Sequence, residues 1–200
     1  LDEVYSNLSS NYNISHRLLD AADYGVPQHR IRAFVIGIRK KKSLYNEPRF
    51  PKPTHGEDSE RDNDLITSSE ALSDINRPNN PDDYSMKSKH AHLLNDIPEG
   101  MNYSFYTEKM GHPDPEFEWR SKFSDYLYKA DPDKPIKTLK AKPGSTSGPF
   151  HWNNRRFTEK ELKRLQAFPD DFKFSTDSYT HIMRMIGNSV PPLQSLAIAN

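Results

Sequence analysis

The sequence predicts an α/β chain: an incomplete sheet at its start, a small irregular β-rich middle, and helices at its end. Three observations carry that prediction. Ala33-Phe-Val-Ile-Gly-Ile38 is an unbroken β-branched and aromatic run, the pattern of a strand buried on both faces of a sheet. Thr67-Ser-Ser-Glu70 and Thr158-Glu-Lys-Glu161 are capping-box signatures, each followed by apolar residues at helical spacing. Between the strand and the second box the chain turns to Pro, Asn, Asp, Ser, Gly and aromatics, and much of its complement of 16 prolines lies there.

Taken in order, a short helical stretch runs to about Ser9, Ile14 to Leu19 forms a strand, and Asp23 to Arg32 is a turn made by Gly25 and Pro27. The strand Ala33 to Ile38 follows. Ala71, Leu72 and Ile75 make one short helix behind Thr67. Residues 81–150 hold few periodic stretches and suggest an irregular β domain. Leu162, Leu165 and Phe168 continue the helix that begins at Thr158, and Pro169 stops it. Tyr179 to Ile186 form a further segment ending at Gly187, in the place of a C-terminal cap glycine. Ser189 caps a last helix that starts at Val190-Pro-Pro192 and presents Leu193, Leu196 and Ala197 as its apolar side. The expected divisions are therefore 1–42, 43–154 and 155–200.

Composition narrows the chemistry. Lys plus Arg and Asp plus Glu both number 28, so no global basic charge announces a nucleic acid, although local patches can still bind phosphate. With no cysteine, disulfides, thiolate metal sites and thiol nucleophiles are excluded within these residues. No apolar run approaches the roughly 20 residues of a membrane span, which predicts a soluble intracellular protein. The first residue, Leu1, opens on a helix-like stretch, which suggests a fragment of a longer protein.

Several motifs carry alternatives. Alternation puts Gln28, Arg30 and Arg32 on one face, where two guanidinium groups can grip a carbonyl or phosphate; on spacing alone a solvated strand end leads. Gly187-Asn-Ser-Val-Pro-Pro192 joins a helix stop to a helix start and can offer backbone N–H groups to a small polar ligand, or simply be a cap pair. Thr138-Leu-Lys140, with Pro143, Gly144 and Ser145 beyond, is a phosphate-contacting loop or an ordinary polar one. His90 and His92 alternate, but no third ligand at a supporting spacing makes them a metal site.

Order changes these odds. Tyr24-Gly-Val-Pro-Gln-His-Arg-Ile-Arg32 closely resembles the eighth conserved block of DNA cytosine-5 methyltransferases. Arg155-Arg-Phe-Thr158, Glu161, Arg164-Leu-Gln166 and Phe168-Pro-Asp170 resemble the ninth, and Ile186-Gly-Asn-Ser-Val-Pro-Pro192 the tenth. In that family a variable target-recognition region separates the eighth and ninth blocks, and the stretch between them here fits that slot. Pro135-Ile-Lys-Thr138-Leu139 resembles the family's Thr-Leu element, which contacts backbone phosphate beside the target base.

The resemblance implies the end of a Rossmann-like S-adenosylmethionine-dependent methyltransferase sheet, a target-recognition domain, and C-terminal helices returning to the catalytic domain. The chemistry it implies flips a cytosine from the duplex, adds a cysteine thiolate to carbon 6 and methylates carbon 5. Arg32 would hold the carbonyl oxygen as charge develops, with Arg30 and Gln28 ordering that corner. Asn188, Ser189 and Val190 would line the cofactor pocket. Thr138, Leu139, Lys140, Lys142, Arg155 and Arg156, with Lys137 beside them, would meet DNA phosphates. Base-reading residues are expected among polar side chains of 81–154.

The glycine-rich loop, the Pro-Cys-Gln nucleophile and the Glu-Asn-Val block of the family are not found, so the isolated chain is expected to be inactive and to hold S-adenosylmethionine poorly. It would need duplex DNA and a complementary catalytic half, in the same chain or in a separate subunit, and no membrane. A prokaryotic, cytoplasmic, nucleoid-associated restriction-modification setting is what kinship implies. The other readings are a non-catalytic sequence-specific DNA-binding module, and an RNA-directed relative, against which the long central region speaks. Apolar sheet edges should be exposed, leaving the first segment marginal or self-associating.

Overall fold

In a computed structural model, residues 2–40 and 47–200 are described. The expected boundary between 42 and 43 lies outside them. Helix α1 (Asp2–Leu8) leads into β1 (Tyr12–Asp20), and the chain then makes a 3-10 turn, Ala21–Tyr24. Asp20 caps that turn by accepting from the Ala22 N–H at 3.3 Å, and Gly25 closes it at φ 78°, the left-handed region that favours glycine. β2 (Gln28–His29) and β3 (Ile31–Arg39) follow, and β3 returns antiparallel on β1 with Leu19 opposite Arg32.

The expectation that Ala33 to Ile38 is buried on both faces is corrected. Every residue of β3 is exposed or half-exposed, and its sheet has two strands, β1 and β3. A β-branched run reports a need for cover without supplying it. Among the described residues no layer closes over this ribbon, so Leu18 stands 69% and Ile31 58% exposed.

The middle of the chain is less β-rich than expected. After α2 (Ser68–Ala71), capped by Thr67, residues 81–110 make 3-10 turns, and the one regular strand described between α2 and residue 150 is β4 (Ile136–Lys137), parallel to β2. Prolines remove ladder donors. Cohesion comes instead from rings: Tyr103, Phe117 and Tyr126 meet edge to face with centroids 5.6–5.9 Å apart, within a core of Leu94, Ile97, Leu127 and Phe150.

A second core binds the end of this region to the C-terminal helices α3 (Glu159–Leu165), α4 (Tyr179–Asn188) and α5 (Pro192–Ala199). Ile136 and Leu139 pack there with Phe157, Leu162, Leu165 and Ile186, drawing from both sides of the expected division at 154 and 155.

Three helix-end expectations change. α3 stops before Pro169: Ala167 takes φ 59°, and the N–H groups of Ala167 and Phe168 return to the carbonyls of Arg164 and Lys163 at 2.9 Å each, a Schellman closure with alanine at the glycine position. Ala167→Gly should therefore stabilise the chain by about 0.5–1 kcal/mol, read as a raised urea midpoint; an unchanged or lowered midpoint would mean that the left-handed residue is not strained. Gly187 lies inside α4 and caps nothing. Ser189 closes α4, its Oγ donating to the Ile186 carbonyl at 2.7 Å, while α5 begins without a side-chain cap. Nor are Leu193 and Leu196 packed: they are 41% and 57% exposed, and α5 is anchored instead by buried Gln194, whose Nε2 donates to the Leu19 carbonyl at 3.4 Å.

Candidate functional site

Four distant segments meet in one buried polar knot. Gln28 and Gln166 are both fully buried. The Gln28 Nε2 donates to Gln166 Oε1 at 2.6 Å and to the Leu165 carbonyl at 3.3 Å, while Gln28 Oε1 accepts from the Leu139 N–H at 3.0 Å. From the other side Gln166 Nε2 donates to the Ser189 carbonyl at 3.2 Å and to Ser189 Oγ at 3.0 Å.

Arg30, also buried, runs alongside. Its Nη2 donates to the carbonyls of Gly187 at 2.9 Å and Ser189 at 3.1 Å, and its Nη1 to that of Leu139 at 3.4 Å. Its backbone N–H is held by Asp20 Oδ1 at 2.7 Å, and Asp20 Oδ2 lies 2.8 Å from His29 Nδ1. Burial pushes the Asp20 carboxyl up, but the His29 hydrogen bond and the backbone N–H groups of Arg30 and Ala22 outweigh it and hold it below its ordinary value.

Arg32 does not share this face. Strand pairing breaks at Arg30 between β2 and β3, so Arg32 sits on the exposed ribbon, its Nη1 on the Ile31 carbonyl at 2.7 Å. The Thr-Leu element lies across β2: Thr138 Oγ1 donates to the His29 carbonyl at 2.8 Å, and Leu139 is buried in the core. Beyond it Lys140 is exposed and paired with Asp125, and Lys142 is exposed. Lys137 lies with Nζ 3.7 Å from the centre of the Tyr128 ring.

The two arginines of the ninth block point into the protein. Arg155 is buried and grips Glu161 with Nη1–Oε2 2.8 Å and Nη2–Oε1 2.7 Å, which removes its guanidinium from any phosphate. Arg156 is half-buried, and its Nη2 donates to the carbonyls of Gly144 at 3.0 Å and Ser145 at 2.7 Å, fixing the loop rather than reaching past it. Asn188 and Val190 are exposed on either side of the tethered Ser189. His90 is hydrogen-bonded to the Tyr126 hydroxyl within the aromatic core. Gln166 and Glu161 are not among the expected site residues; the ninth-block resemblance contains both, and the capping box contains Glu161 as well.

Beside Glu161, His151 is 4% exposed, and burial, then the Arg155 charge, push its imidazole down to about 4. An unfolded chain takes that proton near 6.5, so stability is complete above pH 6.5 and declines as pH falls toward 4, by at most about 3 kcal/mol. Glu161, held low by Arg155 and the Thr158 N–H against its burial, adds its own loss only as pH falls through 4.5 and below. Urea midpoints at pH 7 and pH 5 should differ clearly in the wild type and much less in His151→Gln; equal slopes in the two proteins would exclude the histidine as the cause.

A family model described as C-5 cytosine-specific DNA methylase matches residues 1–200. Over 200 residues the chain is 41% identical to the type II methyltransferase M.SacI of Streptomyces achromogenes, covering 91% of this chain and 49% of that protein. It is 33% identical over 184 residues to M.NgoFVII of Neisseria gonorrhoeae, covering 90% and 47%. The chain thus spans about half the length of the curated relatives it matches. Among solved structures, a DNA modification methyltransferase encoded within an E. coli prophage superposes with a TM-score of 0.59 at 23% identity, covering 98% of this chain and 62% of that one. The S. pombe Dnmt2 methyltransferase gives 0.50 at 15% identity, covering 99% and 58%. At such identities these two likenesses are of fold alone.

Proposed function

Because the chain belongs to the C-5 cytosine-specific DNA methylase family, we propose that it is the target-recognition and cofactor-edge part of an enzyme that methylates carbon 5 of a flipped cytosine in a specific duplex sequence. The observation that carries this reading is the buried knot. Through Gln28, Arg30 and Gln166 it locks three functional edges together: the strand bearing Arg32, the Thr138–Lys142 loop, and the Asn188–Val190 turn.

Each edge has a proposed part. Exposed Arg32 meets the target base; Arg30 and Gln28 position it without touching the reacting atoms. Thr138, Lys140 and Lys142 face backbone phosphates, with Leu139 and Arg156 holding the loop in shape. Arg155 is assigned to structure. Asn188, Ser189 and Val190 fit one edge of an S-adenosylmethionine site: two exposed side chains flank a turn whose carbonyl is already tied by Arg30 and Gln166. That cofactor, when bound, supplies the methyl group.

With no cysteine among its 200 residues, the chain lacks the family's nucleophile, and a complementary half must bring it, within one polypeptide or as a subunit. Leu18, Ile31, Val35, Val190, Leu193 and Leu196 are exposed, and are apolar surface for that half to cover. Relatives named type II methyltransferases support a restriction-modification setting. Among the described residues no helix is long and apolar enough to cross a membrane.

The test assays methyl transfer to duplex DNA by the chain alone and by the chain joined to the cysteine-bearing half of a relative. Turnover is expected only in the second, lowered on the order of 10²-fold by Arg32→Ala. Turnover by the chain alone would refute the division of labour, and an Arg32→Ala protein as active as its parent would refute the role of Arg32. In the same preparations, Lys140→Glu with Lys142→Glu should weaken duplex binding and flatten its salt dependence by about two phosphate contacts; unchanged affinity and slope would remove those lysines from the interface.

A further inference from the structure

A cavity of about 750 Å³ opens between residues 83–87, the loop 141–145 and the first turns of α4. None of Gln28, Arg30, Arg32 or residues 188–190 lines it. Its volume lies in the range of small-ligand sites.

Its walls are chemically mixed in a particular way. Tyr84 and Tyr179, both half-buried, form an aromatic wall with ring centroids 6.1 Å apart and edge to face. Three exposed cations, Lys87, Lys142 and Arg184, stand around it, and among the described residues their charged ends meet no ion-pair or hydrogen-bond partner. Of the two acids in the lining, Asp83 and Glu159, the second is engaged by the Tyr84 hydroxyl at 2.8 Å. α4 starts in the wall, and its N-cap Ser178 makes no side-chain capping bond, so the positive end of that helix stands at the cavity without a Ser178 cap.

Unpaired cations around one cavity repel one another, and a bound anion relieves that repulsion beside the positive end of a helix. Aromatic rings beside that anion favour a ligand that carries a ring of its own, which can stack on one tyrosine and meet the other by its edge. We propose that this cavity binds a nucleotide unit, its phosphate among Lys87, Lys142 and Arg184 and its base on the rings of Tyr84 and Tyr179, apart from the methyl-transfer centre. Base–aromatic stacking contributes about 1–3 kcal/mol per base and tolerates any base identity. The loop 141–145 continues directly from Thr138–Lys140, so a DNA strand following that loop reaches the cavity; a free nucleotide has the same chemistry. The inference goes beyond the methyl-transfer reading and does not depend on it, since binding here needs neither nucleophile nor cofactor.

The experiment titrates the 200-residue chain calorimetrically with the four deoxynucleoside 5′-monophosphates, the matching nucleosides and inorganic phosphate. Monophosphates should bind at least about tenfold more tightly than either part, and Lys87→Glu with Arg184→Glu should remove that advantage, whereas Lys173→Glu should not. These side chains are exposed, so the variants should keep the wild-type melting temperature, and a matching melt separates lost binding from lost folding. A parallel anisotropy titration with a labelled duplex identifies the source. Duplex affinity reduced about tenfold in the double variant, with a salt slope smaller by about two, places a strand nucleotide in the cavity; unchanged duplex affinity beside lost monophosphate binding assigns it to free nucleotides. No preference for monophosphate over phosphate, or a double variant that binds monophosphates like the wild type, overturns the proposal.

Discussion

Glu161→Ala should destabilise the chain by about 4 kcal/mol, a large share of the 5–15 kcal/mol typical of a whole domain. Three interactions end on that one carboxylate. Both of its oxygens accept from Arg155 at 2.7 and 2.8 Å, Oε2 also accepts from the Thr158 N–H at 2.7 Å to complete the capping box of α3, and Oε1 lies 3.6 Å from His151 Nε2. With Glu161 only 3% and Arg155 5% exposed, removing the acid leaves a buried guanidinium without its counter-charge, and that loss outweighs the helix propensity gained by alanine. Replacing both partners, as in Arg155→Met with Glu161→Leu, should cost less than the single change because no lone charge stays inside. Urea unfolding of the three proteins checks this. A Glu161→Ala midpoint within about 1 kcal/mol of wild type, or a double variant worse than the single, would mean that the pair is not the buried clamp described.

The start of α3 was legible because the capping box is a local device: Thr158 and Glu161 sit three apart, and their bonds close within one turn. The second duty of Glu161 was not legible, since its pairing with Arg155 depends on how the intervening loop folds back. The same limit explains the knot. Alternation grouped Gln28, Arg30 and Arg32, but alternation holds only along an unbroken strand, and pairing breaks at Arg30; two side chains turn inward to partners more than a hundred residues away and the third turns out. Gln166 carries no signal of its own as a lone polar residue at a helix end, and only the resemblance of its whole block contained it. The exposed β3 and α5 show the converse. Their apolar patterns state correctly what needs covering, while cover is a property of neighbours that these residues do not encode.

Gly187 illustrates how one residue type serves two physical ends, and it gives the second large effect. A glycine at the end of a helical pattern predicts a left-handed cap, yet Gly187 is helical and is required for close approach: a Cβ there would stand 2.3 Å from the Ala141 nitrogen and 2.5 Å from the Ala141 Cα and the Lys140 carbonyl carbon. All three are backbone atoms, so no side chain can swing aside, and α4 must lift from the Lys140–Ala141 peptide. Lifting it draws the Gly187 carbonyl from Arg30 Nη2, now at 2.9 Å, and strains the Ser189 contacts of Arg30 and Gln166. Alanine gains about 1 kcal/mol of helix propensity, while overpacking against backbone and the weakened bonds to a buried charged group take away more, for a net loss of about 2–3 kcal/mol. Gly187→Ala should also act on two edges at once, weakening duplex binding through the Lys140–Lys142 loop and cofactor binding through the Asn188–Val190 turn, where Lys140→Glu touches only the first. Asn188→Ala, one residue along but exposed, should leave stability unchanged. Thermal melts and duplex titrations of the two variants separate the cases: a Gly187→Ala protein as stable as Asn188→Ala would show that the helix does not rest on the Lys140–Ala141 peptide, and with it would fall the claim that the knot holds the loop proposed to face DNA and the turn proposed to edge the cofactor in one fixed relation.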